Sequence, residues 1–131
     1  MPADPGRRYE TLQWVFFQMA FIGPMFGQVG YFYKFAGKEI EDKRPLNRYR
    51  DESKRLLGVM DTRLTGRQWI MGDEYTIADI TTFPWIRGAD IFYGGREVLE
   101  YAKFPAVMAW LERCIARPAS AKGLNIPVKP V

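Results

Sequence analysis

The chain has 131 residues, 47% hydrophobic and 26% charged, with a net charge of +4, one cysteine and no histidine. The missing histidine excludes imidazole acid–base chemistry, Ser–His–Asp and Cys–His nucleophiles and histidine metal sites; the single Cys114 excludes an internal disulfide, a CxxC redox motif and an all-cysteine zinc site. The length fits one domain with a real core, no apolar run is long enough to span a bilayer, and the modest basic charge permits acidic partners without demanding them.

Residues 1–8 carry two prolines and a glycine before any periodic pattern begins, and read as a linker. They lack the basic-then-apolar order of a signal peptide, so a cytoplasmic location is expected. From Arg8 to about Tyr33 the spacing predicts a long helix, with Leu12, Val15, Phe16 and Met19 as its inward stripe. Gly23-Pro24 should kink or divide it, since proline lacks the backbone donor and its ring clashes one turn back. Gly27 and Gly30 lie among aromatics, where small residues permit close approach of a backbone or ligand.

Pro45 opens a second helix to about Leu64, with Leu46, Tyr49, Ser53, Leu56, Leu57, Met60 and Leu64 facing inward. Residues 65–75 read as a loop. A third helix is predicted from Thr76 towards Phe92, kinked at Pro84 and broken by Gly94-Gly95. A short helix over Arg96–Tyr101 follows, then one from Pro105 to Arg117 burying Val107, Trp110, Leu111, Cys114 and Ile115, then a turn over Ala119–Gly123. The tail from Ile126 reads as extended or loose. No useful strand alternation occurs, so the fold expected is all-α, a bundle of five or six helices.

The sharpest local signal is Tyr75-Thr76-Ile77-Ala78-Asp79-Ile80. Thr76 can cap the first turn while Asp79 reaches back to the Thr76 N–H and favours the positive end of the helix dipole. Tyr75 and Ile80 occupy the staple positions. This is first of all a structural N-capping box.

The stretch Trp69-Ile70-Met71-Gly72-Asp73-Glu74 leading into that box resembles the folding motif of the glutathione transferase C-terminal domain. Phe104-Pro105-Ala106-Val107-Met108-Ala109-Trp110 and Arg117-Pro118-Ala119 resemble that family's penultimate helix and its exit. Thr11-Leu12-Gln13-Trp14 and Gly23-Pro24-Met25-Phe26-Gly27-Gln28 resemble the bacterial nu-class branch, which includes glutathione-dependent disulfide-bond oxidoreductases. The resemblance implies a helical domain over residues 9–124 with a tail at 125–131. It also implies an N-terminal thioredoxin-like domain ahead of the 1–8 linker, absent from these residues, that would supply the thiolate-stabilising group. This chain would then carry no catalytic residue of its own.

By the same resemblance, glutathione is the cosubstrate and no metal is needed. The second substrate would be a small electrophile or a disulfide, and the enzyme a homodimer. Gln13 and Arg48 match nu-class positions that contact glutathione; arginine's planar fork suits its carboxylates. The ordinary alternative for Arg48 is an ion pair with Glu52 one turn on. Phe26, Tyr31, Phe32, Tyr33 and Trp85 are the candidate substrate wall, against simple core packing. Without the upstream domain, apolar surface is expected around Trp14, Phe17 and Phe26. Cys114 reads as a buried, inert thiol.

Two other readings compete with this one. Lys43, Arg44, Arg48, Arg50, Lys54 and Arg55 could mark a nucleic-acid helix, but Glu41, Asp42, Asp51 and Glu52 interleave with them, and pairs such as Asp51–Arg55 are the ordinary explanation. Neither nucleic acid nor membrane is expected as a partner. A standalone transferase-like module acting in protein assembly, without catalysis, is the alternative to an enzyme half.

Overall fold

The computed structural model describes residues 1–127, and in them the chain folds as helices packed around one core. The elements are α1 (Pro5–Phe17), a π-helical stretch (Gln18–Ile22), α2 (Gly23–Tyr33), a 3-10 turn (Ala36–Glu39), α3 (Arg44–Leu64), α4 (Ile77–Tyr93), α5 (Gly95–Val98), a second 3-10 turn (Tyr101–Lys103), α6 (Pro105–Ala116) and α7 (Pro118–Gly123). The all-α expectation holds. Much of the 126–131 tail lies outside the described residues.

Helix α1 begins at Pro5, earlier than the Arg8 start expected, so the non-helical lead is shorter than residues 1–8. Asp4 caps it by accepting the Arg7 N–H at 2.8 Å, and Pro5 sits where its missing donor costs nothing. Proline at position 24 does not break the helix. Its effect is absorbed upstream, where the π-helical stretch closes with the Gly23 N–H bonded to the Gln18 carbonyl. Likewise α4 runs on through Pro84.

The facing of α1 differs from the periodicity. Phe16 and Met19 are 66% and 62% exposed, whereas Thr11, Gln18 and Ile22 are buried. Apolar residues occur on more than one face of this helix, so pattern alone does not choose the inner one. Burial of Thr11 is inexpensive because its hydroxyl donates to the Arg7 carbonyl at 2.8 Å. Phe26, expected on open apolar surface, is instead only 1% exposed; Trp14 and Phe17 are half-buried.

Helix α3 meets its predicted stripe: Ser53, Leu56, Leu57, Met60 and Leu64 are buried, with Leu46 and Tyr49 half-buried. Helix α4 lies centrally, contacting α1, α2 and α6, and buries Ile86 fully. Helix α6 turns Val107, Trp110, Leu111 and Cys114 inward. Before α4, Trp69 and Gly72 exchange both backbone hydrogen bonds, at 2.8 and 2.9 Å, in a tight turn that Gly72 permits at φ +90°.

The cap of α4 forms as read: Thr76 Oγ1 accepts the Ala78 N–H at 3.2 Å, and Asp79 Oδ2 accepts the Thr76 N–H at 2.9 Å. The staple is replaced by other contacts. Tyr75 meets Trp69 edge-on at 4.8 Å, with the Arg117 guanidinium 3.8 Å over its ring, while Ile80 is 49% exposed. A cation and an indole together offer Tyr75 more contact than one isoleucine would.

Candidate functional site

Two surfaces carry the candidate residues. The first lies along α1 and α3. Gln13 is exposed there and lines a groove of about 780 Å³ with Tyr9, Phe16, Phe17, Phe21 and Val59. The aromatic side of this groove is the apolar surface that α1 presents. Its underside is anchored by Arg63, which holds Glu10, donates to the Ile70 carbonyl at 2.7 Å, and lies 5.2 Å from the Trp14 ring centroid.

Arg48 lies on the same α3 face as Val59 but three helical turns earlier, about 16 Å along the axis. It borders a shallow depression with Asp42, Arg44, Pro45 and Tyr49. The structure therefore does not bring Gln13 and Arg48 together. The expected alternative pair, Arg48 with Glu52, is not formed, because Glu52 is taken by Arg55 through two hydrogen bonds of 2.8 Å. That same bond displaces the expected Asp51–Arg55 pair. Arg44 is held by Asp42, and Lys54 by Glu100 at 2.7 Å. Among the described residues, Arg48 makes no ion pair or hydrogen bond.

The second surface lies between α2 and α4. A cavity of about 320 Å³ is lined by Phe26, Gly27, Gly30, Phe35, Trp85 and Phe92, among others. Of the five aromatics proposed as a substrate wall, it gathers Phe26 and Trp85 only. Phe32 stacks on Tyr49 of α3 at 5.7 Å, Tyr31 meets Phe32 edge-on at 5.0 Å, and Tyr33 is 42% exposed. Consecutive residues 31–33 must point three ways around a helix, so they cannot share one wall. Phe35 and Phe92 were missed. Phe35 follows the helix end, and Phe92 lies two turns beyond Trp85 on the same α4 face, a spacing the sequence does show.

The cavity exists because glycines floor it. A Cβ on Gly30 would come within 2.9 Å of the Tyr93 ring, whose hydroxyl donates to the Phe26 carbonyl at 2.9 Å. Burial pushes the Tyr93 phenol well above its ordinary range, so this donor stays protonated. Cys114 is fully buried, and its thiol is raised by desolvation and then by nearby Asp79. It is no nucleophile in the folded chain. Among the described residues no group of acids or cysteine could hold a metal ion, and no helix is long and apolar enough to cross a membrane.

The family model for the glutathione S-transferase C-terminal domain matches residues 17–118. The chain belongs to this family. The disulfide-bond oxidoreductase YfcG of Escherichia coli is 38% identical over 117 residues, which is 89% of this chain and 51% of that protein. A glutathione transferase of Burkholderia graminis, solved with two glutathione molecules per subunit, superposes with a TM-score of 0.95 and 56% identity, covering 99% of this chain and 54% of that one. One from Pseudomonas putida, solved with one glutathione disulfide per subunit, gives 0.93 and 54%, covering 97% and 55%. The chain thus spans about half the length of the relatives it matches. As a glutathione transferase helical domain, it presents its cap box, its free Arg48 and its aromatic cavity on one frame.

Proposed function

We propose that this chain is the helical half of a cytoplasmic glutathione-dependent enzyme, one that conjugates electrophiles or reduces disulfides. The likeness to the Burkholderia graminis transferase, solved with bound glutathione, carries the reading. The chain's own chemistry agrees with it. Arg48 is an exposed cation that makes no direct ion pair or hydrogen bond among the described residues, its charge reaching Glu52 only at longer range, and a carboxylate ligand can still claim its fork. In such an enzyme the nucleophile is the thiolate of glutathione, since Cys114 is buried and protonated. The thiolate either adds to an electrophilic carbon, or attacks a disulfide sulfur and expels a thiolate, leaving a mixed disulfide that a second glutathione resolves. A thioredoxin-like half would stabilise that thiolate. The Phe26–Trp85 cavity would hold the apolar substrate, and the Tyr9–Phe16–Val59 face a second subunit.

The test is a chimera joining the part of the Burkholderia graminis protein that this chain does not cover to residues 1–131. Folded chimera should bind glutathione and turn over a small disulfide or an aromatic electrophile, whereas the 131-residue chain alone should do neither. Arg48→Ala should weaken glutathione binding by about 1.5–3 kcal/mol and Gln13→Ala by about 0.5–1.5 kcal/mol, the ranges of charged and neutral hydrogen bonds. Arg48→Lys should recover only part, because an ammonium cannot form the fork. Wild-type affinity in Arg48→Ala, by calorimetry, removes Arg48 from the site.

A further inference from the structure

Gln18 is the least expected residue in the core. It is 3% exposed, yet its side-chain amide makes no hydrogen bond to any described residue. The residue is buried but its amide tip is not enclosed: it opens on the surface, where water or a ligand satisfies it. Gln18 lies where the helix widens into its π-helical stretch, and it lines a groove of about 690 Å³ with Met19, Gly23, Gly27, Ile80 and Trp85. The amide nitrogen and the six-membered ring of Trp85 both approach Gly23, to 3.3 and 3.2 Å from where its Cβ would stand. Amide and indole thus flank one glycine.

This groove shares Gly27, Pro84 and Trp85 with the aromatic cavity between α2 and α4, so the two adjoin along these residues. Side by side they make a slot with aromatic and glycine walls in the first part and, in the second, the Gln18 amide beside Gln28 and a Thr81 hydroxyl already bonded to the Ile77 carbonyl. Among the described residues no aspartate, glutamate, lysine or arginine lines either part, in a chain that is 26% charged. A carboxylate or ammonium entering the slot would lose its hydration and gain no counter-charge. A neutral arene fits the walls, and a carboxamide both donates to and accepts from the Gln18 amide.

We infer that the slot binds an uncharged aromatic carboxamide, its ring between Phe26, Trp85 and Phe92 and its amide paired with Gln18. The inference rests on the cavity being a binding site, as proposed above, and adds the chemical class of the occupant and its polar anchor. It does not need glutathione to be present.

The test titrates the 131-residue chain with naphthamide, naphthoate and naphthalene by calorimetry. One naphthamide should bind per chain, with naphthoate weaker by about tenfold or more. Gln18→Leu keeps the side chain's bulk and burial. It should weaken naphthamide about tenfold, the scale of one neutral hydrogen bond, and leave naphthalene unchanged. Gly27 gives a second variant, since a Cβ there meets nothing within 4 Å. Gly27→Leu should fill the slot and abolish binding of all three while the chain stays folded, because leucine is the better helix former. Equal naphthamide affinity in wild type and Gln18→Leu overturns the anchor and leaves the cavity standing. Undiminished naphthalene binding in Gly27→Leu overturns the cavity as well. If naphthamide does not bind the wild-type chain the inference is overturned, and a variant that also changes the chain's oligomeric state assigns the slot to a polypeptide instead.

Discussion

Trp110 Nε1 donates to Asp79 Oδ1 at 2.9 Å, joining α6 to the first turn of α4 across 31 positions of sequence. The same oxygen accepts the Ile70 N–H at 2.9 Å, and the other oxygen accepts the Thr76 N–H. One fully buried carboxyl group thereby satisfies a cap, a loop and a distant helix. The capping box is half of what Asp79 does; the other half fixes where α6 packs.

Asp79→Ala should therefore cost about 3 kcal/mol or more, since it leaves three buried N–H donors without a partner. Thr76→Ala should cost about 1–2 kcal/mol, as a lost cap does. The Asp79→Ala/Trp110→Phe double variant should lose less than the sum of the singles, by about 0.5–3 kcal/mol, because the pair shares one hydrogen bond. Denaturant titration of the set checks this. Additive losses would mean that the indole and the carboxyl are energetically independent.

Two glycines one turn apart on α2 should respond oppositely to alanine. Gly30→Ala forces a methyl to within 2.9 Å of the Tyr93 ring and should destabilise by about 1–3 kcal/mol despite alanine's helix propensity. Gly27→Ala projects into open space and should stabilise by about 0.5–1 kcal/mol. Thermal unfolding of both variants decides it, and matching signs would contradict the packing described.

Glu100 bridges Lys54 and Lys103, each at 2.7 Å, and these ammonium groups, Lys103 foremost, hold its carboxyl down to about 2. A folded-state value below the unfolded one means the contribution is complete above the ordinary glutamate range. It is lost as the pH falls from there through about 2. Wild type should exceed Glu100→Gln in thermal midpoint at neutral pH, and the gap should close across that acid window. The neutral-pH gap should be small, since the group is partly solvated. A gap that widens on acidification would show that the pairs do not act on Glu100.

Phe16 and Tyr9, 66% and 73% exposed, form with Val59 an apolar face of the kind that soluble monomers seldom leave bare. The isolated chain should self-associate through it, most simply as a two-fold dimer. Sedimentation of wild type at micromolar concentration should show the dimer, and Phe16→Glu should show monomer with unchanged helicity. A monomeric wild type would assign that face to something other than a second copy.

The positions of the helices were legible in the residues themselves. Capping by Thr76 and Asp79, the proline at the start of α3 and the stripe from Ser53 to Leu64 are local chemistry, written within one or two turns, and the fold keeps them. The family likeness is carried by the same local signals and by their order along the chain. What the residues could not state is which face of α1 turns inward. That helix is apolar on several sides, and only packing against α4 puts Phe16 outside and Gln18 inside. The same holds for the site. Phe26 and Trp85 are 59 positions apart and meet because Gly27, Gly30 and Gly88 let α2 and α4 close on a cavity rather than fill it. Glu52's choice of Arg55, which leaves Arg48 free, is likewise a matter of side-chain geometry on a finished helix. Spacing permits both pairs and three-dimensional contact selects one.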